Sequence, residues 1–270
     1  MMFSAAFLVQ ALLATAVLAL PSSKERMAAR RARRSSGTRQ GKPVNLIAKP
    51  EVTNTSHVEF SENWSGAVLV ATTATYKSVT GTFTVPTPKS TGGSGQQCAS
   101  AWVGIDGDTC ASAILQTGLD FCVTGTSVSF DSEYSSYEFF PAVSVDFTGI
   151  SFSAGQSVTL TATVISTTEG TLTIKNNSNG QSVSKTISST ARLCQENAEW
   201  IVEDFEECEG NDCELVPFAN FGTVAFTGAS ATTNSGSVSP AAAQVLEIEQ
   251  NEVLTSASVS GSTVTVKYTA

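Results

Sequence analysis

The stretch CASAWVGIDGDTCASAILQTGLDFC, Cys98 to Cys122, concentrates the chemistry-bearing side chains of this sequence. It holds a tryptophan, three aspartates, one glutamine in an apolar run and three of the six cysteines. A second stretch, NAEWIVEDFEECEGNDC from Asn197 to Cys213, carries another tryptophan, a cluster of acids and two more cysteines. Since most of the remaining chain is Ser, Thr, Val and Gly, we expect the fold to bring these two stretches together across one cleft.

Short segments of alternating apolar and polar residues surround these stretches. Examples are SVTLTATVIS (157–166), GTLTIKNNSNG (170–180) and ASVSGSTVTVKYT (257–269). A period of two residues, interrupted by Gly, Asn or Pro, is typical of β-strands with one buried face, and no convincing long helical period occurs. We therefore predict an all-β domain, a sandwich of a dozen or more strands in two stacked, mostly antiparallel sheets.

An apolar run from Ala5 to Leu20 opens the chain and is followed by Pro21. A run this short at the N-terminus is typical of a secretory signal peptide rather than of a membrane span. We therefore predict a signal peptide over residues 1–20 and a secreted, extracellular protein that is not held in a membrane. A membrane anchor is the competing interpretation.

The segment 21–55 is strongly basic, whereas the rest of the chain is acidic. Residues 1–52 contain nine Lys or Arg and two acids, so the remaining chain keeps six basic and 22 acidic residues. We interpret 21–55 as a prosegment that inhibits its own domain, 56–270, by electrostatic contact and is later cleaved. This contact should hold at neutral pH and loosen as carboxylates protonate. A disordered basic linker is the alternative, and the secretory signal argues against a nucleic-acid-binding tail.

Six cysteines behind a secretory signal indicate disulfides. Cys208 and Cys213 are close enough in sequence to close one hairpin loop. The other four allow three pairings, among which residue chemistry does not decide: Cys98, Cys110, Cys122 and Cys194. A zinc site is the competing interpretation, but there is no CxxC spacing and only one histidine, so we expect no metal.

That single histidine, His57, lies at or before the start of the predicted mature domain. Ser–His–Asp and Cys–His hydrolases need an imidazole in the site, and so do zinc hydrolases with histidine ligands. If the domain is a hydrolase, its acid–base chemistry therefore falls to carboxylates.

Glu203 is the candidate carboxylate in the second stretch. If Trp200 to Phe205 is a strand, alternation places Glu203 on the same face as Ile201 and Phe205. Desolvation there would raise its pKa above the ordinary value of about 4.3. The alternative is that Glu203 points outward from an edge strand, beside Glu206 and Glu207.

Gln116 is the candidate amide in the first stretch. A strand through SAILQTG places it on the face of Ile114 and Gly118, where its amide must find partners or face a cleft. A glutamine beside an acid can donate to a developing oxyanion while the acid activates water. A purely structural buried glutamine is the alternative.

Five motifs, in order, resemble those of the fungal glutamic peptidases, the eqolisins. They are NWSGAVL (63–69), SAWVGIDGDTCASAILQTGLDF (100–121), YEFFP (137–141), NAEWIVEDFEEC (197–208) and VPFANFG (216–222). The resemblance covers residues 63–270. It implies a bent sandwich of two largely antiparallel, seven-stranded sheets and an acid-active endopeptidase that cleaves proteins and peptides without a cofactor.

Motif matching transfers the family's catalytic dyad to Gln116 and Glu203. Glu203 would take a proton from water and return it to the leaving amine, and Gln116 would hydrogen-bond the oxyanion. Other positions match residues in or near the family's cleft, which would tune the dyad or contact substrate: Trp64, Trp102, Asp106, Asp120 and Glu138. The resemblance also implies three disulfides: Cys110–Cys194, Cys208–Cys213 and Cys98–Cys122. We expect a monomer.

Two departures and two alternative functions accompany this interpretation. Ser136 and Phe139 stand where family members commonly have tryptophan, so the side-chain preference of the subsites does not carry over. A secreted glycosidase would use a pair of carboxylates and stack sugars on Trp64 and Trp102. A non-catalytic binding sandwich would hydrolyse nothing.

Overall fold

A computed structural model describes residues 38–48, 58–125, 132–209 and 212–270 of the chain. The predicted signal peptide, residues 1–20, lies outside the described residues, and so does most of the predicted prosegment. Within the described ranges the structure is built from strands, with one 3₁₀ turn at Pro240–Ala242 as the helical element. No helix in those ranges is long and apolar enough to span a membrane.

The strands follow the alternating segments of the sequence. They are β1 (Thr38–Gln40), β2 (Val58–Ser61), β3 (Trp64–Val70), β4 (Tyr76–Thr84), β5 (Gln96–Ile105), β6 (Ile114–Thr124), β7 (Ser132–Phe140), β8 (Val145–Asp146), β9 (Ser157–Ser166), β10 (Glu169–Asn176), β11 (Ser182–Ser188), β12 (Asn197–Glu203), β13 (Glu206–Glu209), β14 (Asp212–Leu215), β15 (Thr223–Thr233), β16 (Gly236–Val238), β17 (Gln244–Ile248), β18 (Thr255–Ser260) and β19 (Thr263–Tyr268).

Two eight-stranded sheets form the sandwich. The cleft sheet has the order β2-β17-β3-β12-β5-β6-β7-β8, and the back sheet has the order β11-β10-β9-β4-β15-β19-β18, with β16 paired to β15. All the pairs are antiparallel except β2 with β17. The predicted all-β sandwich is confirmed, with eight strands in each sheet where seven were implied. A third sheet, β1-β13-β14, was not predicted.

The core lies between the two large sheets because each contributes one apolar face to it. Strand β6 directs Leu115, Leu119 and Phe121 into this core, alternating with residues that point to the other side of the sheet. Trp200 of β12 crosses the core, and its Nε1 donates to the Thr80 carbonyl of β4 at 2.8 Å. The face of the cleft sheet that points away from the core is here called the cleft face.

The stretch that carries Glu203 differs from its prediction at one end. Strand β12 ends at Glu203, so the predicted strand through Phe205 is wrong by two residues. One further hydrogen bond, from the Asp204 amide to the Asn63 carbonyl at 2.9 Å, follows the last residue of the strand. Phe205 is nevertheless fully buried, against Cys98, Cys122 and Val216.

Three disulfides join the described cysteines, and they are the three pairs that the resemblance implied. Cys110–Cys194 links the loop after β5 to the loop before β12, across 84 residues. Cys98–Cys122 joins the facing positions of β5 and β6, and Cys208–Cys213 joins facing positions of β13 and β14. The first of these bonds therefore ties together the two stretches that carry Gln116 and Glu203.

We predict that removing Cys110–Cys194 by double substitution to alanine lowers the free energy of unfolding by about 4.5 kcal/mol, because the released loop, of sequence separation 84, is long. Removing Cys208–Cys213, which closes a loop of sequence separation 5, should cost about 2 kcal/mol in the chain-entropy relation. Urea unfolding of both double variants measures the difference. Equal losses in the free energy of unfolding would show that loop entropy does not determine how much stability each disulfide contributes.

Candidate active site

Strand register brings the predicted site residues onto the cleft face in two rows. In the first row Gln116 of β6 faces Gly104 of β5 on one side and Glu138 of β7 on the other. In the second row, Ser100 of β5 faces both Glu203 of β12 and Asp120 of β6. Since β12, β5, β6 and β7 are adjacent in the sheet, residues far apart in sequence lie a strand or two apart in space.

A tryptophan and a glycine lie between the two rows. Trp102 of β5 faces Gly118 of β6, and its ring lies across that glycine. A Cβ added at Gly118 would come within 2.3 Å of the Trp102 ring. The glycine is therefore required for the ring to lie flat on the sheet, which makes the indole one wall of the cleft.

The polar ends of Gln116, Glu138 and Glu203 converge on one point. The Gln116 amide Nε2 donates to Glu138 Oε2 at 3.0 Å. A Cβ built on Gly41 would lie 2.2 Å from Gln116 Nε2, 2.9 Å from Glu138 Oε2 and 3.2 Å from Glu203 Oε2. All three side chains are at most 1% exposed. The amide and both carboxyls therefore border the same small space beside Gly41, which has no room for a side chain.

Glu203 is fixed from two directions. Its Oε1 accepts the backbone amide of Lys42 at 2.9 Å and Trp64 Nε1 at 3.4 Å. Its Oε2 accepts no hydrogen bond from the described residues and faces Gly41. Strand β12 lies between β3 and β5 and is not an edge strand, so the alternative of an outward-pointing Glu203 is wrong.

Residues 38–48 of the predicted prosegment lie across the cleft face. Strand β1 pairs with β13, and the Gly41 amide donates to Glu138 Oε2 at 3.1 Å. Farther along, the Val44 amide donates to the Gly107 carbonyl and the Asn45 amide to Asn63 Oδ1, both at 2.9 Å. This cover explains why β6 and β12 are buried on both faces.

Two basic side chains of this segment meet acids of the domain. Arg39 forms an ion pair with the buried Asp120, and its guanidinium lies over the Trp102 and Phe205 rings. Lys42 pairs with Glu206 at 3.2 Å, in a position where both side chains are partly exposed. The segment thus makes charge contacts on either side of Gly41.

Burial raises the pKa of both acids beneath the segment. Desolvation, reinforced by the neighbouring charge of Glu203, raises the pKa of Glu138 to about 8. Desolvation raises the pKa of Glu203 to about 7, while the Lys42 amide, Trp64 and Arg39 act in the opposite direction. At acid pH both carboxyls under the segment are therefore protonated.

The structure places Asp106 away from the polar ends of Gln116 and Glu203. Its carboxylate accepts the backbone amides of Gln195, Glu196 and Asn197 at 2.8 to 3.2 Å. Asp106 itself has a φ of +71°, an uncommon value for a residue other than glycine. Asp106 therefore holds the start of β12 in place, beside Cys110–Cys194.

Other buried acids lie near the site without entering it. Glu199 of β12 is 1% exposed, its carboxyl lies over Gly104, and neither oxygen has a hydrogen-bond partner among the described residues. Desolvation raises its pKa well above the ordinary value. Desolvation likewise raises the pKa of Asp204 to about 8, although Gln250 Nε2 donates to it at 2.9 Å.

Sequence reasoning did not anticipate three features of this site. It assigned Glu138 an accessory position, whereas Glu138 hydrogen-bonds Gln116 directly. It did not single out Arg39 or Gly41, which lie in the cleft. The basic character of residues 21–55 indicated a contact but not which residue would make it.

Two groups of acids and cysteines have the spacing of metal ligands, but the sulfurs of these cysteines are bonded in disulfides.

Comparison with known proteins identifies the class of this site. The pattern of the Peptidase A4 family matches residues 62–268. The chain therefore belongs to the Peptidase A4 family and is a glutamic-type endopeptidase.

Its relatives include aspergillopepsin-2 of Aspergillus niger, 43% identical over 95% of this chain and 96% of that protein. Scytalidopepsin B of Scytalidium lignicola is 42% identical over 87% of this chain and 89% of that protein. Among solved structures, scytalido-glutamic peptidase with a transition state analog inhibitor superposes with a TM-score of 0.69 and 45% identity, covering 77% of this chain and 98% of its own. Aspergilloglutamic peptidase from Aspergillus niger gives a TM-score of 0.59 and 48% identity, covering 64% and 99%.

We predict that the free energy of unfolding falls as pH rises from about 4 to about 8. Unfolded carboxyls ionise near pH 4, whereas Glu199 and Asp204 in the fold stay protonated to higher pH. Each full unit of pKa elevation removes about 1.4 kcal/mol over that window. Glu199→Gln, which cannot ionise, should make the decline shallower. Urea unfolding at several pH values between 4 and 8 measures it.

Glu214→Gln is the matched control, because it makes the same charge change at an exposed position of β14. Its stability profile should parallel that of the unmodified chain. Identical pH dependence in Glu199→Gln and the unmodified chain would show that the buried carboxyl does not couple folding to pH.

Proposed function

We propose that this protein is a secreted acid endopeptidase in which Gln116 and Glu203 form the catalytic dyad. The observation that carries the proposal is the convergence of the Gln116 amide and the Glu203 carboxyl on one point of the cleft face. Family membership supports the peptidase reaction, and the apolar run at residues 5–20 supports secretion. Proteins and peptides are the proposed substrates.

In the proposed reaction the Glu203 carboxylate takes a proton from a water molecule, and the water oxygen attacks the carbonyl carbon of the scissile bond. The resulting oxyanion accepts a hydrogen bond from Gln116 Nε2. The protonated Glu203 then gives its proton to the leaving nitrogen, and the C–N bond breaks. Because Trp64 Nε1 donates to Oε1, Oε2 is the oxygen that faces the reacting centre.

Glu138 positions the amide in this scheme. The Gln116 nitrogen carries two hydrogens, and one of them is directed at Glu138 Oε2. The second is then free for the oxyanion. In the covered site the pKa of Glu138, about 8, lies above that of Glu203, about 7, so Glu203 is the first of the pair to ionise.

Residues 38–48 act in this proposal as an inhibitor that is not itself cleaved while bound. The amide N–H groups of Gly41 and Lys42, rather than a carbonyl carbon, face the two carboxyls. Gly41 also lies beside Gln116 Nε2 and the two carboxyls, so closely that a side chain in its place would clash. Removal of the segment opens the cleft to water, which weakens the desolvation that raises the Glu203 pKa and restores a carboxylate base in acid.

We predict that Glu203→Gln lowers kcat at least about a thousandfold, since it removes the base. Gln116→Ala should lower kcat about a hundredfold or more by removing the oxyanion donor. Hydrolysis of unfolded haemoglobin or casein from pH 2 to 7 provides the measurement. Activity of the unmodified enzyme should be confined to the acid side and resist chelators and reagents for serine and cysteine enzymes.

Glu214→Gln, on the exposed strand β14, is the control and should retain full activity. Undiminished proteolysis by Glu203→Gln would overturn the dyad. Hydrolysis of a polysaccharide without proteolysis would favour the glycosidase alternative, for which the adjacent Glu138 and Glu203 would be the carboxylate pair.

We also predict that the peptide TRQGKPVNL, residues 38–46, inhibits the mature enzyme in competition with substrate. Gly41→Ala in this peptide should weaken inhibition about tenfold to a hundredfold, because the added Cβ would lie 2.2 Å from Gln116 Nε2. Gln40→Ala is the control, since the Gln40 side chain donates to the carbonyl of the exposed Pro141, away from Gln116 and Glu203. Equal inhibition by all three peptides would place the segment elsewhere on the enzyme.

A further inference from the structure

We infer that Glu199 positions Gln116 by holding the oxygen of its amide, so that the amide nitrogen stays turned toward the oxyanion. This inference rests on the proposed function and adds a positioning residue to it. Glu199 is a buried acid on the same strand as Glu203 and takes no part in the proposed proton transfer. Its protonated carboxyl would donate a hydrogen bond, directly or through one water molecule, to Gln116 Oε1.

Glu199 extends the row of cleft-face residues that contains Gln116. Gly104 of β5 faces Glu199 of β12 on one side and Gln116 of β6 on the other. A Cβ added at Gly104 would lie 2.2 Å from Glu199 Oε1 and 3.1 Å from Gln116 Cβ. Both side chains are 1% exposed. The glycine therefore brings into one buried space two side chains that a third side chain would otherwise separate.

Each of these two side chains can supply what the other lacks. Gln116 Nε2 donates to Glu138 Oε2 at 3.0 Å, whereas no described residue donates to Gln116 Oε1. Neither oxygen of Glu199 has a hydrogen-bond partner among the residues that the structure describes. Buried polar groups without partners are costly. A proton on Glu199 makes its carboxyl a donor, and the amide oxygen of Gln116 is the acceptor in the same row.

This hydrogen bond would fix which end of the Gln116 amide faces the reacting centre. The nitrogen and the oxygen of an amide have nearly the same size, so their hydrogen-bond partners decide the orientation. With Oε1 held on the β5 side, Nε2 lies on the β7 side, where one hydrogen reaches Glu138 and the other is available to the oxyanion. An ionised Glu199 could only accept, so it would attract Nε2 and turn the donor away from the oxyanion.

The surroundings of Glu199 favour its protonated form. The adjacent strands β3 and β5 place the uncharged residues Val68 and Gly104 on either side of it. Desolvation raises the pKa of Glu199 well above the ordinary value, and the charges of Asp106 and Asp108, in the loop after β5, act in the same direction. In acid solution Glu199 is therefore a hydrogen-bond donor.

The need for this proton assigns Glu199 to one limb of the pH profile. A base such as Glu203 must be ionised, so it sets the acid limb of a bell-shaped kcat profile. The limb at higher pH needs a group that must stay protonated, as Glu199 must. Glu138, which faces Gln116 from β7, is the other group able to set that limb. Substitution of Glu199 alone separates these two possibilities.

The test measures kcat and KM of the mature enzyme on one reference peptide from about pH 2 to about pH 8. Glu199→Met, of similar size but without a donor, should lower kcat about tenfold at the pH optimum and leave KM within about twofold, because the substrate contacts are unchanged. Glu199→Gln carries an amide that can donate at every pH. It should regain most of the lost kcat and extend the higher-pH limb by about one pH unit.

Glu214→Gln makes the same charge change on the exposed strand β14 and should leave kcat and both limbs unchanged. Circular dichroism at each pH gives the folded fraction, by which kcat is divided. A purely structural Glu199 would change the folded fraction but not kcat per folded molecule. If Glu199→Met does not fold, the position of the higher-pH limb in Glu199→Gln still decides the matter.

Binding of a phosphinic peptide provides a second measurement, because its phosphinate oxygen takes the place of the oxyanion. In calorimetric titration at the pH optimum, Glu199→Met should bind this peptide about tenfold more weakly than the unmodified enzyme, and Glu199→Gln should bind it nearly as tightly. Unchanged kcat in Glu199→Met, together with an unmoved limb in Glu199→Gln, would overturn this inference and leave the proposed function standing. Undiminished proteolysis by Glu203→Gln would overturn the proposed function instead.

Discussion

The burial of two neighbouring carboxyl groups, Glu138 and Glu203, is the constraint on which the rest of the site depends. Two acids on a covered sheet face cannot both be charged unless donors reach them. Here the donors are the Gln116 amide, the Trp64 indole and the backbone amides of Gly41 and Lys42. The amide that the proposed chemistry uses on an oxyanion is thus also part of what makes the buried acids tolerable.

The cleft face differs from the core face of the same strands because of its glycines. Gly104 makes room for the Glu199 carboxyl, and Gly118 makes room for the Trp102 ring. Side chains at these two positions would raise the floor of the cleft and separate Gln116 from Glu203. The alternation in β5 and β6 therefore has two outcomes: apolar side chains fill the sandwich, whereas polar side chains and glycines form a surface on which a peptide can lie.

Much of this arrangement could be predicted from the sequence, because strand alternation is a local property. Alternation placed Gln116 on the face of Ile114 and Gly118, and the concentration of acids and cysteines marked the two stretches that Cys110–Cys194 joins. Strand order could not be predicted in this way, since it depends on contacts between distant segments. The adjacency of Glu138 and Gln116 follows from the pairing of β6 with β7, and no local pattern encodes it.

The two kinds of charge contact under residues 38–48 respond to pH in opposite directions. Under the segment, desolvation raises the pKa of Glu203 to about 7, so the covered state holds a proton on this carboxyl. The free energy with which that proton favours the covered state decreases as pH rises through about 7. The ion pairs of Arg39 with Asp120 and of Lys42 with Glu206 require ionised carboxylates and are lost in acid. We propose that acid releases residues 38–48 by protonating the carboxylates of these two ion pairs, which leaves the segment held over Gln116 and Glu203 by hydrogen bonds. Acid is also the condition in which the proposed peptidase would work.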